Sequence, residues 1–272
     1  MKWDTVAIVG VGLIGGSVGM ALRARALAQR VFGVGRRRAA LATAKRLGAV
    51  DATRTDIARG VSEADLVVVC TPVEKIVSHV QTAAAACATG AIITDAGSTK
   101  AAIVTQLDEN LPAGVHFVGS HPLAGSEKTG CENATPDLLH ERVAVVTPGK
   151  PNDKSATRKL EEFWKSLGMK VVRMSPAAHD AALARTSHLP HVVASALAAA
   201  TAEKDLPLTA TGWLDTTRIA AADEELWRQI LLDNKENTLA ALDQFEKKLA
   251  ALRDAFAAGD EARLARLLAQ GR

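Results

Sequence analysis

His121 lies in the run Gly119-Ser120-His121-Pro122-Leu123-Ala124-Gly125-Ser126-Glu127, at the end of the apolar segment Val115-His116-Phe117-Val118-Gly119. An imidazole titrates near neutral pH, so it can take a hydroxyl proton while another bond at the same carbon breaks. A loop histidine bonded to backbone is the plain alternative, and residue type alone does not separate the two. Ser98, in Asp95-Ala96-Gly97-Ser98-Thr99-Lys100, follows a neighbouring apolar run. Its hydroxyl can orient the His121 ring, cap the next helix, or do both. Further on, Thr186-Ser187-His188-Leu189-Pro190-His191 sets two imidazoles around a proline. Pro190 inside a helix has no N–H to give and leaves the Thr186 carbonyl without its usual partner. His188 and His191 at i,i+3 have metal spacing, but no third ligand or carboxylate fits, so no metal is expected. Arg218, after Gly212-Trp213-Leu214-Asp215-Thr216-Thr217, can clamp a carboxylate bidentately or form an ordinary surface ion pair.

Such groups need a scaffold, and its clearest signature is N-terminal. Gly10-Val11-Gly12-Leu13-Ile14-Gly15-Gly16-Ser17 follows the apolar run Val6–Val9 and opens a helical pattern ending near Arg30. Strand, glycine turn and helix start form the phosphate-binding crevice of a dinucleotide fold. Gly10 permits the tight turn, Gly12 lets the backbone approach a pyrophosphate, and Gly15 allows helix and strand to pack closely. The helix start at Leu13 and Ile14 turns free amides and a positive dipole end toward the phosphates.

NAD-binding versions of this fold place Asp or Glu at the end of the second strand, on the ribose 2′-hydroxyl. Here Val31-Phe32-Gly33-Val34 is followed by Gly35, then Arg36, Arg37 and Arg38. No carboxylate stands there to repel a 2′-phosphate, and the guanidiniums supply bidentate donors. NADP is therefore favoured over NAD, with Arg36 as the first phosphate contact and Arg37 as the second. Thr71-Pro72, after the strand Leu66–Cys70, makes a rigid turn that can flank the nicotinamide.

The 272 residues suffice for two domains, and with 48% hydrophobic residues disorder is not expected. A net charge of +3, with basic residues scattered outside 36–38, does not outline a nucleic-acid surface. Cys70, Cys87 and Cys131 show neither metal spacing nor a disulfide framework and read as reduced thiols of a cytoplasmic protein. No signal peptide precedes the first strand, and charges interrupt the Ala-rich stretches, so no membrane span is expected.

Apolar runs at 91–95, 115–119, 142–147 and 170–173, with a helix near 153–167, extend the sheet of a doubly wound α/β domain over 1–174. From Ser175-Pro176, a good helix start, the pattern is all helix over 175–272. An apolar stripe from Leu226 to Phe256 is long for one amphipathic helix and suits a helix–helix interface. So small a helical unit is marginal alone, and a homodimer is the economical solution.

Taken together these segments resemble the prephenate/arogenate (cyclohexadienyl) dehydrogenase family of tyrosine biosynthesis. The resemblance runs through Gly10–Ser17, Asp95–Lys100, His121–Glu127, Ser187–His191, Asp215-Thr216-Thr217-Arg218-Ile219-Ala220 and Asn234-Lys235-Glu236-Asn237, in the family's order. It implies a Rossmann-type N-terminal domain, an all-α C-terminal dimerisation domain and an oxidative decarboxylation. Hydride leaves the hydroxyl-bearing ring carbon of a cyclohexadienol, and carbon dioxide departs as the ring becomes aromatic. By the same resemblance His121 deprotonates or polarises the ring hydroxyl and Ser98 orients it. His191 contacts the small-molecule substrate, Arg218 binds the ring carboxylate, and Ser126, Trp227 and His188 belong to the same site.

Two departures stand out. Gly35 replaces the acid of NAD-using members, and Leu214 stands where some members carry a lysine, so the resemblance does not carry over a Glu127–lysine gate at the site entrance. The chain ends after the helical domain, with no room expected for a fused mutase or regulatory domain. The sequence leaves prephenate and arogenate undivided. A β-hydroxyacid dehydrogenase would place a lysine base on a helix of the second domain, where none is convincing. A non-catalytic NADPH sensor would need none of Ser98, His121, His191 and Arg218.

Overall fold

The computed structural model describes residues 2–108, 110–125, 128–150 and 153–271. They form two compact units: Met1–Asp180 with Ala221–Asp233, and Ala181–Ala220 with Asn234–Arg272. The compact units part within a helix at Asp180, and 221–233 returns to the first unit.

In the first unit β1 (Trp3–Val9), β2 (Ala28–Val34), β3 (Ala52–Arg54), β4 (Leu66–Val69), β5 (Ile92–Asp95) and β6 (His116–Phe117) make one parallel sheet. Its order, β3-β2-β1-β4-β5-β6, is the doubly wound order that switches direction beside β1. Helices α1 (Leu13–Ala24), α2 (Arg38–Arg46), α3 (Ile57–Val61), α4 (Val73–Ala84) and α5 (Ala101–Asp108) connect the strands. Because both faces are covered, β4 reads Leu-Val-Val-Val and is buried at every residue. One apolar cluster gathers Val6, Ile8, Val18, Leu22 and Val68; the other gathers Val9, Val67, Val69, Ile76 and Ile93.

The expectation that 142–147 and 170–173 extend this sheet is corrected. β7 (Gly119–Leu123), β8 (Val143–Thr147) and β9 (Lys170–Arg173) form a separate sheet, β7 and β8 antiparallel, β8 and β9 parallel. The cause is visible where β6 ends. The Val118 amide still bonds to the Ile93 carbonyl, but the Ser120 amide donates to a side-chain oxygen of Asp95. Backbone pairing with β5 stops there and the chain turns to pair with β8. Helix α6 (Lys154–Ser166) buries Leu160, Phe163 and Trp164 and opens on Asp153, whose carboxylate accepts from the amides of Ser155 and Ala156.

Ser175 caps α7 (Pro176–Leu183) as its sequence predicts, accepting from the Ala178 amide at 3.2 Å. A π-turn over Ala184–His188 follows, and α8 (Leu189–Ala200) then starts with Pro190 in its first turn. Pro190, which has no N–H to give, thus stands in a first turn that follows a π-turn. The stripe from Leu226 to Phe256 is likewise not one helix. It divides at Asn234 into α10 (Glu224–Asp233) and α11 (Lys235–Ala257), while α9 (Thr211–Thr217) precedes them and α12 (Glu261–Ala269) closes the chain. Among the described residues no helix is long and apolar enough to cross a membrane.

Candidate active site

The carboxyl ends of β1, β2 and β4 open on a cavity of about 560 Å³ lined by Gly10, Gly12, Gly35, Arg36, Arg37, Thr71 and Pro72. Two glycines of the turn after β1 and the helix it opens are sterically required. Gly10 has φ +94°, and a Cβ there would lie 2.6 Å from the Cys70 carbonyl oxygen. A Cβ on Gly15 would lie 2.2 Å from the Gly10 carbonyl oxygen, which fixes how closely α1 meets the turn. Gly12, by contrast, faces open space, with nothing within 4 Å of an added Cβ. It is also the N-cap of α1 and carries no side chain to occupy the first-turn amides at Leu13 and Ile14. An uncapped helix start beside an open cavity suits a pyrophosphate.

Arg36 and Arg37 are exposed at the mouth of the same cavity. Two further cationic or titratable side chains reach this cavity from α4: Lys75 and His79. The His79 ring meets the Thr71 hydroxyl at 3.0 Å, and burial with the nearby charges of Arg36 and Lys75 keeps its pKa below the ordinary histidine value. The i,i+4 spacing of Lys75 and His79 places them on one helix face. Nothing in that spacing says which ligand the face meets, so composition alone did not single them out.

The end of β5 holds a buried charge pair. The Lys100 ammonium bonds to Asp95, and both side chains are fully buried. Asp95 also accepts from the amides of Gly97 and Ser120, so its oxygens are well supplied. Burial pushes the Lys100 pKa down, against the attraction of Asp95, Asp180 and Asp233. Ser120 ties the neighbouring strand to this point. Its hydroxyl donates to the Asp95 carbonyl at 2.7 Å, and it meets Thr94 and the Trp164 indole N–H.

His121 sits within β7, opposite Val145 of β8, not in a loop after the strand. Its partly buried ring meets His179 at 2.9 Å, Nδ1 to Nε2. His179 in turn meets Asp180 at 2.7 Å, and the Asp180 carboxylate accepts from the amides of Lys100 and Ala101, both at 2.8 Å. The cap of α5 expected from Ser98 is therefore supplied by Asp180, eighty residues later. The ring support expected from Ser98 comes from His179. Burial alone would raise the Asp180 pKa, but the bonds from His179 and the two amides outweigh it and hold the carboxyl below its usual range.

In the second unit His188 is buried and meets Asn234 at 3.1 Å. Asn237 donates to Asn234 Oδ1 at 2.8 Å, which makes Asn234 Nδ2 the donor to His188 Nδ1. His188 then carries its own hydrogen on Nε2. His191 is 5% exposed, and burial lowers its pKa below the ordinary histidine value. Arg218 begins the short 3₁₀ turn Arg218–Ala221 after α9 and is exposed. Trp227 lies on α10 in the first unit, packed against the apolar cluster that includes Ile76 and Ile230. Ser126 and Glu127 lie outside the described residues. Among the described residues no group of three or more His, Cys, Asp or Glu is placed to hold a metal.

A doubly wound sheet with a glycine turn at its switch point defines a nucleotide-binding domain, here with a helical unit beside it in sequence. Comparison with known proteins makes the class specific. Residues 18–173 match the prephenate dehydrogenase nucleotide-binding domain, and residues 175–270 match the prephenate dehydrogenase dimerization domain. The chain is 36% identical to prephenate dehydrogenase of Bacillus subtilis, over 92% of this chain and 69% of that protein. It is 34% identical to cyclohexadienyl dehydrogenase of Zymomonas mobilis, over 94% of this chain and 89% of that protein. The crystal structure of prephenate dehydrogenase from Aquifex aeolicus with hydroxyphenyl propionate and NAD+ superposes with a TM-score of 0.91 at 33% identity. That match covers 99% of this chain and 96% of the Aquifex chain. Synechocystis arogenate dehydrogenase gives 0.82 at 28% identity, covering 98% and 96%. The chain belongs to the prephenate dehydrogenase family.

Proposed function

We propose that this family member is an NADP-preferring dehydrogenase that oxidatively decarboxylates arogenate, prephenate or both. The observation that carries the reading is His121, on the strand β7 that follows β6, held through Nδ1 by His179 of α7. This leaves Nε2 as the nitrogen that takes the proton of a substrate hydroxyl. Ser98, half-buried between the buried side chains of Asp95 and Lys100, stands as the second polar group for that hydroxyl. Bound oxidised nicotinamide supplies the hydride acceptor. On this reading His188, His191, Ser126 and Trp227 contact substrate, and Arg218 pairs with the ring carboxylate. The helical unit carries the family's dimerization domain, and Leu239, Leu249, Phe256 and Leu268 are exposed on α11 and α12, which favours a homodimer.

The test is formation of reduced cofactor with prephenate, arogenate and a β-hydroxyacid, each with NADP and with NAD. Turnover confined to the β-hydroxyacid, or none at all, rejects the reading.

Two substitutions examine its parts. Arg218→Ala is expected to raise the substrate KM about 10- to 100-fold, as loss of a charge-assisted contact does, with cofactor affinity unchanged. An unchanged KM removes Arg218 from the site. The double variant Gly35→Asp with Arg36→Ser is expected to move the NADP-to-NAD ratio of kcat/KM at least about tenfold toward NAD. A Cβ at Gly35 meets only Leu41, at 3.4 Å, so the aspartate enters without disturbing the backbone. Persistence of the wild-type ratio shows that selection of the ribose lies elsewhere.

A further inference from the structure

We infer that His179 and Asp180 are positioning residues that set which nitrogen of His121 accepts a proton. The inference rests on the proposed role of His121 as the base. Asp180 Oδ1 receives the Lys100 amide and faces His179 Nδ1, while Oδ2 receives the Ala101 amide. A carboxylate holding two helix N-terminal amides is ionised and only accepts. His179 Nδ1 must therefore carry the hydrogen, and in the neutral ring this leaves a lone pair on His179 Nε2. His121 Nδ1, 2.9 Å away, must then donate. Neutral His121 consequently keeps its hydrogen on Nδ1 and its lone pair on Nε2. Each tautomer along the line follows from the one before it.

Burial makes the arrangement hard to replace. His179 is fully buried and Asp180 is 3% exposed, so solvent does not supply substitute donors. When His121 Nε2 takes the substrate hydroxyl proton, the ring becomes a cation. Its Nδ1 hydrogen can pass to His179 Nε2, which leaves His121 neutral and a cationic His179 against Asp180. One proton enters the line and none leaves it. The anchor is the start of α5, so the orientation of the base is tied to the backbone that follows Ser98 and Thr99.

A structural role alone would need only the ring contact, 5.2 Å between the His121 and His179 centroids at 63°. Substitutions separate the two. His179→Phe keeps an aromatic ring and removes the hydrogen-bond line. Asp180→Asn, with its amide nitrogen in the place of Oδ1, keeps an acceptor for the Ala101 amide, gives up the one for Lys100 and turns a donor toward His179. That reverses both tautomers and puts the hydrogen on His121 Nε2.

The experiment is imidazole nitrogen NMR on the full chain, joined to steady-state kinetics. Wild type is expected to show His121 as the Nδ1–H tautomer, and Asp180→Asn as the Nε2–H tautomer. In Asp180→Asn, kcat is expected to fall at least about 100-fold with the substrate KM within about threefold. His179→Gln, whose amide can accept from His121 and donate to Asp180, is expected to recover at least about tenfold of the kcat lost in His179→Phe. An Nε2–H tautomer in wild type overturns the inference. So does an unchanged His121 tautomer in Asp180→Asn, or equal kcat in the Phe and Gln variants. Should Asp180→Asn fail to fold, the wild-type tautomer and the His179 pair decide. Absence of dehydrogenase turnover in wild type, with the tautomers as stated, rejects the proposed function and leaves this inference standing.

Discussion

His121→Asn is expected to lower kcat for the cyclohexadienyl substrate by about 10²- to 10⁴-fold, the range general-base catalysis contributes. Asparagine fits the space within β7 and can still bond His179, so the strand pairing with Val145 is retained. It has no nitrogen lone pair to receive a proton. The cofactor cavity is lined by other residues, so NADP affinity should remain within about twofold. Stopped-flow kinetics and cofactor titration check both parts. A kcat within a few-fold of wild type removes His121 from the proton-transfer step.

Lys100→Met is expected to destabilise the first unit by about 3–5 kcal/mol, the cost of leaving one partner of a buried ion pair alone. Methionine matches the lysine stem in length but cannot neutralise Asp95. That carboxylate is fully buried, and its remaining donors are the Gly97 and Ser120 amides. Adding Asp95→Asn to Lys100→Met should return part of the loss, because the uncompensated charge is gone while an acceptor for those amides persists. Urea denaturation followed through intrinsic fluorescence reports the change, since Trp164, one of four tryptophans, bonds through its indole to Ser120 in the same network. A loss below about 1 kcal/mol would show that the pair is not what holds β5 to β7.

The parallel sheet and its crevice were legible because their determinants are local. Continuous apolar strands, a glycine turn and a basic run after β2 each occupy a few adjacent residues. The second sheet was not, because β7 leaves β6 through a backbone bond to an Asp95 side chain, which no periodicity encodes. The division of the stripe at Asn234 was hidden for a similar reason. Apolar spacing continues through 226–256, while Trp227 and Ile230 belong to the core of the first unit.

The site residues divide in the same way. His121, Arg36 and Gly12 stand in short motifs whose chemistry can be stated residue by residue. His179-Asp180 is an unremarkable pair inside an Ala-rich helix, and only the fold brings it to His121, 58 residues earlier. The ring contact and the helix cap that the Ser98 motif offers are made by His179 and Asp180. A helix start always needs a cap, but sequence names only the nearest one.

The central claim is that this chain couples hydride removal to loss of the ring carboxylate. Carbon dioxide and NADPH measured together, in one reaction with wild-type protein, prephenate or arogenate and NADP, test it most directly. Equimolar release of the two from at least one substrate, abolished in His121→Asn, is the predicted result. NADPH without carbon dioxide, or no reaction with either substrate, would contradict it.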